Sequence, residues 1–131
     1  MRRLGEATRQ MNEAARLDPD SASAHAQLGM IFMMQDQAKL AAPQLARALQ
    51  LDPSLYEPRI HLSILYHEMG DLVACEAELK KAIQLRPADP EPRRLLTDLL
   101  RETGRPEEAD REAEKVKELT AGTAGSGGGS Q

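Results

Sequence analysis

Aromatic side chains are almost missing from this chain: one Phe, two Tyr and no Trp in 131 residues. Bases of a single-stranded nucleic acid would find little to stack on. A formal net charge of −4 supplies no cationic field for phosphate backbones, so no nucleic-acid partner is expected. Cysteine occurs once, at Cys75, which rules out an internal disulfide. No apolar run approaches the ~18 residues needed to span a bilayer, and no membrane insertion is expected. Arg2 and Arg3 lead into a polar, charged stretch rather than an apolar core, so the start does not read as a signal peptide and a cytoplasmic location is expected.

What the chain does have is a phrase that returns. Leu17-Asp18-Pro19, Leu51-Asp52-Pro53 and Leu85-Arg86-Pro87 place their prolines 34 residues apart, twice. Between these phrases the apolar residues recur at steps of three and four, the spacing of one helix face. A fixed period of this size marks a stack of equivalent units, each of which buries its apolar face against its neighbours.

Residues 1–21 read as the second helix of a partial unit, with Leu4, Ala7, Met11, Ala14 and Leu17 on one face. A chain cut from something longer is expected here in preference to a lone capping helix. Residues 22–55 form the first complete unit. One helix is expected over about Ala22 to Met34, with Leu28, Ile31 and Phe32 buried. A second is expected over about Gln37 to Leu51, with Ala41, Leu45 and Ala48 inward, Asp36 as its cap, and a slight kink at Pro43. Residues 56–89 repeat the grammar with Leu62, Leu65 and Tyr66, then Cys75, Leu79 and Ala82. Gly70 supplies a left-handed C-cap and Asp71 caps the next helix. Residues 90–121 give Leu96, Leu99 and Leu100, then Ala109, Ala113 and Val116, with Gly104 closing one helix and Pro106 opening the other. From Arg86 to Leu119 there are eight basic and ten acidic residues, which marks a solvated end of the array. Residues 122–131, rich in Gly and Ser, read as a disordered tail.

Laid in a 34-residue frame, the units agree seat by seat. Leu28, Leu62 and Leu96 stand at position 7, small Gly29, Ser63 and Thr97 at position 8, and bulky Phe32, Tyr66 and Leu100 at position 11. Ala41, Cys75 and Ala109 hold position 20; Ala48, Ala82 and Val116 hold position 27; Pro53 and Pro87 hold position 32. The pattern, over about residues 2–121, resembles the tetratricopeptide repeat. It departs from that family at position 4, where His25, Arg59 and Arg93 replace an aromatic, at Asp36 in place of a glycine, and at Ala121 in place of the last proline. The resemblance implies an all-α fold, an α-solenoid of antiparallel helix pairs wound into a right-handed superhelix, and a non-catalytic protein–protein interaction scaffold.

By the same resemblance, the first helix of each unit lines a concave groove. Met30, Met33, Met34, Ile60 and Ile64 would form an apolar end with adaptable thioethers. His67, Arg94, Asp98 and Arg101 belong to its polar and charged remainder. A partner helix or peptide would be captured there. The competing view is that the methionines only fill space against a further N-terminal helix. The Lys and Asn seats of the family's carboxylate clamp hold Ala26 and Met30 here, so that device is not expected.

No cofactor, catalytic residue or metal ligand set is expected. His67-Glu68 lacks a second histidine four residues on, since Asp71 stands there. Cys75 takes a seat that its sister units fill with alanine, and His25 reads as filling a packing gap. Two other readings of function remain: self-association through the incomplete N-terminal repeat, giving a homo-oligomer, and service as an accessory segment of a larger enzyme.

Overall fold

The computed structural model describes residues 2–128 and contains helices α1 (Arg2–Leu17), α2 (Ala22–Met34), α3 (Ala38–Leu51), α4 (Glu57–Glu68), α5 (Leu72–Leu85), α6 (Glu91–Glu102) and α7 (Pro106–Gly128). No strand occurs among the described residues. The chain divides into two compact units, Met1–Cys75 and Glu76–Gln131, with the division inside α5.

Helix boundaries follow from local chemistry. The Ala24 N–H donates to Ser21 Oγ (3.1 Å), and the Ala74 N–H to Asp71 Oδ1 (3.1 Å). Each satisfies one of the donors that a helix start leaves over. In the second Leu-x-Pro phrase, Asp52 Oδ1 accepts from both the backbone N–H (3.1 Å) and the hydroxyl (2.6 Å) of Ser54, which fixes the turn. Pro58 and Pro92 lie in first turns, where a missing N–H costs nothing.

The turn between paired helices is the same device three times. Gln37 N–H donates to the Phe32 carbonyl (2.9 Å), Asp71 to Tyr66 (2.8 Å) and Arg105 to Leu100 (2.8 Å). This bond closes a Schellman cap, which needs a left-handed residue just before the donor. Gly70 (φ 80°) and Gly104 (φ 74°) supply it freely, and Asp36 supplies it at φ 58°. Asp36 is therefore not the N-cap of α3. That place belongs to Gln37, which makes no side-chain cap bond. Aspartate is among the few non-glycine residues that tolerate this conformation.

The first unit packs around α3. Ala41, Leu45 and Ala48 are fully buried, and Ala42, Leu45, Leu49, Leu62 and Leu65 belong to one apolar cluster joined by Phe32, Met33 and Tyr66. Gly29 allows α2 to approach α3 closely. A Cβ placed on it would stand 2.6 Å from Leu45 Cδ2 and 3.3 Å from the Ala41 carbonyl oxygen. The helix continues through Pro43. Packing in the second unit centres on α6 against α7, with Leu96, Leu99, Leu100 and Ala109 buried.

Two further expectations change. Leu17 is 70% exposed rather than on the inner face, because it lies in the last turn of α1, beyond the side that α2 covers. The last helix runs past residue 121 to Gly128 and overlaps the stretch expected to be a loose tail. Its Val116 and Thr120 turns are already helical, so extension adds bonds without a new nucleation cost. Residues 129–131 of that stretch lie outside the described residues.

Two substitutions test this packing. Gly29→Thr should destabilise the chain by about 1–3 kcal/mol through overpacking against Leu45, measured by urea denaturation. Leu62→Asp, at a seat 2% exposed, should abolish cooperative unfolding, because it drives a charge into the seam between helices.

Candidate functional site

The residues expected to line a groove divide by unit. In the first, Met30 and Met34 border a shallow concavity of about 330 Å³ on α2, together with Ala26, Gln27 and Ile31. Its wall is mainly apolar, and Met34 is 60% exposed. Met33 instead packs against the core cluster, so it supports the fold rather than the surface. Ile60 on α4 is buried at 8% exposure, Ile64 is half-buried and His67 exposed. Helical geometry explains this split: neighbouring residues point roughly 100° apart, so the consecutive Met33 and Met34 cannot both face one way.

In the second unit, Arg94, Asp98 and Arg101 are all exposed on α6. Arg94 lies 4.0 Å from Glu91 and Arg101 3.9 Å from Asp110. These are loose surface pairs that contribute little to stability and leave the guanidinium groups open to a ligand.

Position 4 behaves differently from its sequence-based expectation. His25 fills no gap passively: its Nδ1 lies 2.8 Å from Gln44 Oε1 on α3, and its Nε2 lies 2.9 Å from the Pro19 carbonyl oxygen. Thirty-four residues on, Arg59 Nη2 donates to the Pro53 carbonyl (2.9 Å). In the next copy, Arg93 Nη1 donates to Glu112 (3.0 Å), the same register pair as His25 with Gln44. A polar hook thus replaces the family's aromatic and ties paired helices or the preceding turn together. The sequence carried the signal, since Gln44, Glu78 and Glu112 share one register opposite the three hooks. Only the distances show its use.

A second concavity, of about 570 Å³, opens where the α2–α3 turn meets the end of α4, between Asp36, Lys39, Leu40, Glu68 and Met69. Leu40 and Met69 are 50% and 40% exposed. Sequence periodicity missed it because Leu40 lies off the buried stripe of its helix.

In the second unit Arg105 joins two carboxylates, Glu76 on α5 (2.6 Å) and Glu108 on α7 (2.7 Å), and Lys80 also pairs with Glu76 (2.7 Å). The hydrogen bond from Arg105, then that from Lys80, holds the Glu76 carboxyl below its ordinary value of 4.5. Glu108 is lowered by its hydrogen bond from the same Arg105. No group of three or more His, Cys, Asp or Glu side chains that could hold a metal occurs among the described residues. Cys75 is a free, buried thiol.

The tetratricopeptide-repeat family model matches residues 56–89. The match covers one 34-residue unit, and the helices of the described residues share the tetratricopeptide-like repeat fold. Solved structures described as MamA share the repeat fold: one superposes with a TM-score of 0.87 at 23% identity, covering 92% of this chain and 71% of that one. A second gives 0.85 at 23% identity, with 92% and 66% covered. Identity at this level establishes the fold alone. No curated protein matches the chain in sequence. No helix among the described residues is long and apolar enough to cross a membrane.

The ion-pair clip has a pH signature. A carboxylate whose folded pKa is depressed contributes stability above its unfolded pKa, and that contribution is lost as pH falls through the folded value. Thermal stability should therefore decline as pH drops below about 4.5, and Glu76→Gln should flatten that decline. Melting curves of the two proteins between neutral and strongly acidic pH would check it.

Proposed function

We propose that the chain is a non-catalytic scaffold that captures a helix or short peptide of another protein on the first helices of its repeats. The observation that carries this reading is the α2 surface. Met30 and Met34 flank an apolar concavity, and Met34 remains 60% exposed although burial would stabilise it. Thioether side chains adapt to varied apolar anchors, and α2 carries no Asp, Glu, Lys or Arg that such an anchor would have to desolvate. Ile64 on α4 extends the apolar set. The second unit, by itself, exposes Arg94, Asp98 and Arg101 on α6, charges of both signs that serve selection more than strength. A surface of this size supports weak to moderate binding, roughly micromolar.

Self-association and service as an accessory segment of an enzyme are the rival readings. Affinity capture with the intact chain, repeated with Met30→Asp and Ile64→Lys, separates them. Both variants should lose the captured partner while circular dichroism stays unchanged. Retention of the partner by both would overturn the reading.

A further inference from the structure

We propose that the concavity beside Leu40 is a second docking site, apart from the methionine surface, and that it takes a short segment of a partner protein in which an apolar anchor is flanked by arginine or lysine. The site lies wholly within the first unit, where the α2–α3 turn meets the end of α4, with α2, α3 and α4 all in place around it. Its volume of about 570 Å³ falls in the range of ordinary ligand pockets. Leu40 and Met69 supply the apolar surface, 50% and 40% exposed. An apolar side chain laid over both would remove that surface from water.

Charge selects the occupant. Asp36, Lys39 and Glu68 line the same concavity, and all three are exposed. None of the three side chains makes a hydrogen bond or ion pair among the described residues. Charges elsewhere do find partners: Arg47 lies 3.6 Å from Asp20, and Arg93 3.0 Å from Glu112. Two carboxylates against one ammonium leave the lining acidic, so a cationic segment is attracted and an acidic one repelled. Lys39 disfavours a segment that is basic throughout, which makes the apolar anchor necessary. The α2 concavity differs, since Ala26, Gln27, Met30, Ile31 and Met34 bring no charge to it. Asp36 also does nothing for its turn that glycine does not do. The bond from Gln37 N–H to the Phe32 carbonyl matches those at Gly70 and Gly104. Glycine takes this backbone at no steric cost, and aspartate takes it against its preference. Its carboxylate is thus spare to the fold and open to a ligand.

The probe is an end-blocked peptide, Arg-Leu-Leu-Arg, titrated into the isotopically labelled full chain and followed by NMR. Signals of Leu40 and Met69 should shift saturably, and the matched peptide Glu-Leu-Leu-Glu should bind about threefold or more weakly. Raising salt from about 0.05 to about 0.3 M should narrow that difference. Asp36→Gly should weaken binding of the arginine peptide by about threefold or more without lowering the melting temperature, because glycine fills the sister seats. Leu40→Ser, at an exposed position, should weaken both peptides. Met30→Asp should leave binding unchanged, which separates this site from the methionine surface. Absence of saturable shifts at Leu40 and Met69, equal binding of the two peptides, or full binding by Asp36→Gly would each overturn the proposal. So would shifts centred on Met30 and Met34, or a lower melting temperature for Asp36→Gly, since the carboxylate would then serve the fold.

Discussion

The structure depends on how closely two antiparallel helices can approach at one seat. Where α2 crosses α3, Gly29 has no side chain, and Leu45 fills the space that a Cβ would need. Dispersion contacts decay steeply with distance, so a seam of this kind is either tight or lost. The sister seats hold Ser63 and Thr97, both buried. Their hydroxyls donate to carbonyls on their own helices, Ser63 to Ile60 at 2.6 Å and Thr97 to Arg93 at 2.7 Å. A small polar residue can thus sit in the seam without leaving an unsatisfied group.

Around that constraint, each copy of the unit solves the same problems with different residues. The left-handed seat of the turn is Gly70 or Gly104, yet Asp36 holds it in the first unit with the same closing hydrogen bond. The hook at position 4 is a histidine or an arginine, and its partner a glutamine, a glutamate or a turn carbonyl. The second unit adds a charged clip, Arg105 with Glu76 and Glu108. Its greater charge content therefore includes cross-helix pairs as well as a solvated face.

Surface exposure separates scaffold from candidate binding face within a single run of methionines. Met33 joins the core, while Met34 is largely uncovered. Ile60 is likewise claimed by packing, and Ile64 is shared between packing and surface. A list of inner-face positions cannot make this distinction, because burial depends on what neighbouring helices place over each seat. The exposed arginines of α6 are a simpler case. Their helix buries Leu96, Leu99 and Leu100, and Arg94, Asp98 and Arg101 fall on the opposite side.

The amino-acid sequence by itself determined the period, the helix pairs, the caps at Asp71, Gly70 and Gly104, and the buried Leu28, Leu62 and Leu96. All of these follow from local preferences and apolar spacing, which are properties of short segments. Tertiary structure alone decided the left-handed role of Asp36, the use of His25 and Arg93 as cross-helix hooks, the exposure of Leu17, and the concavity beside Leu40. Each of these depends on which atoms from distant segments come within a few ångströms. Sequence spacing reports the face on which a residue lies, but not whether another helix covers that face.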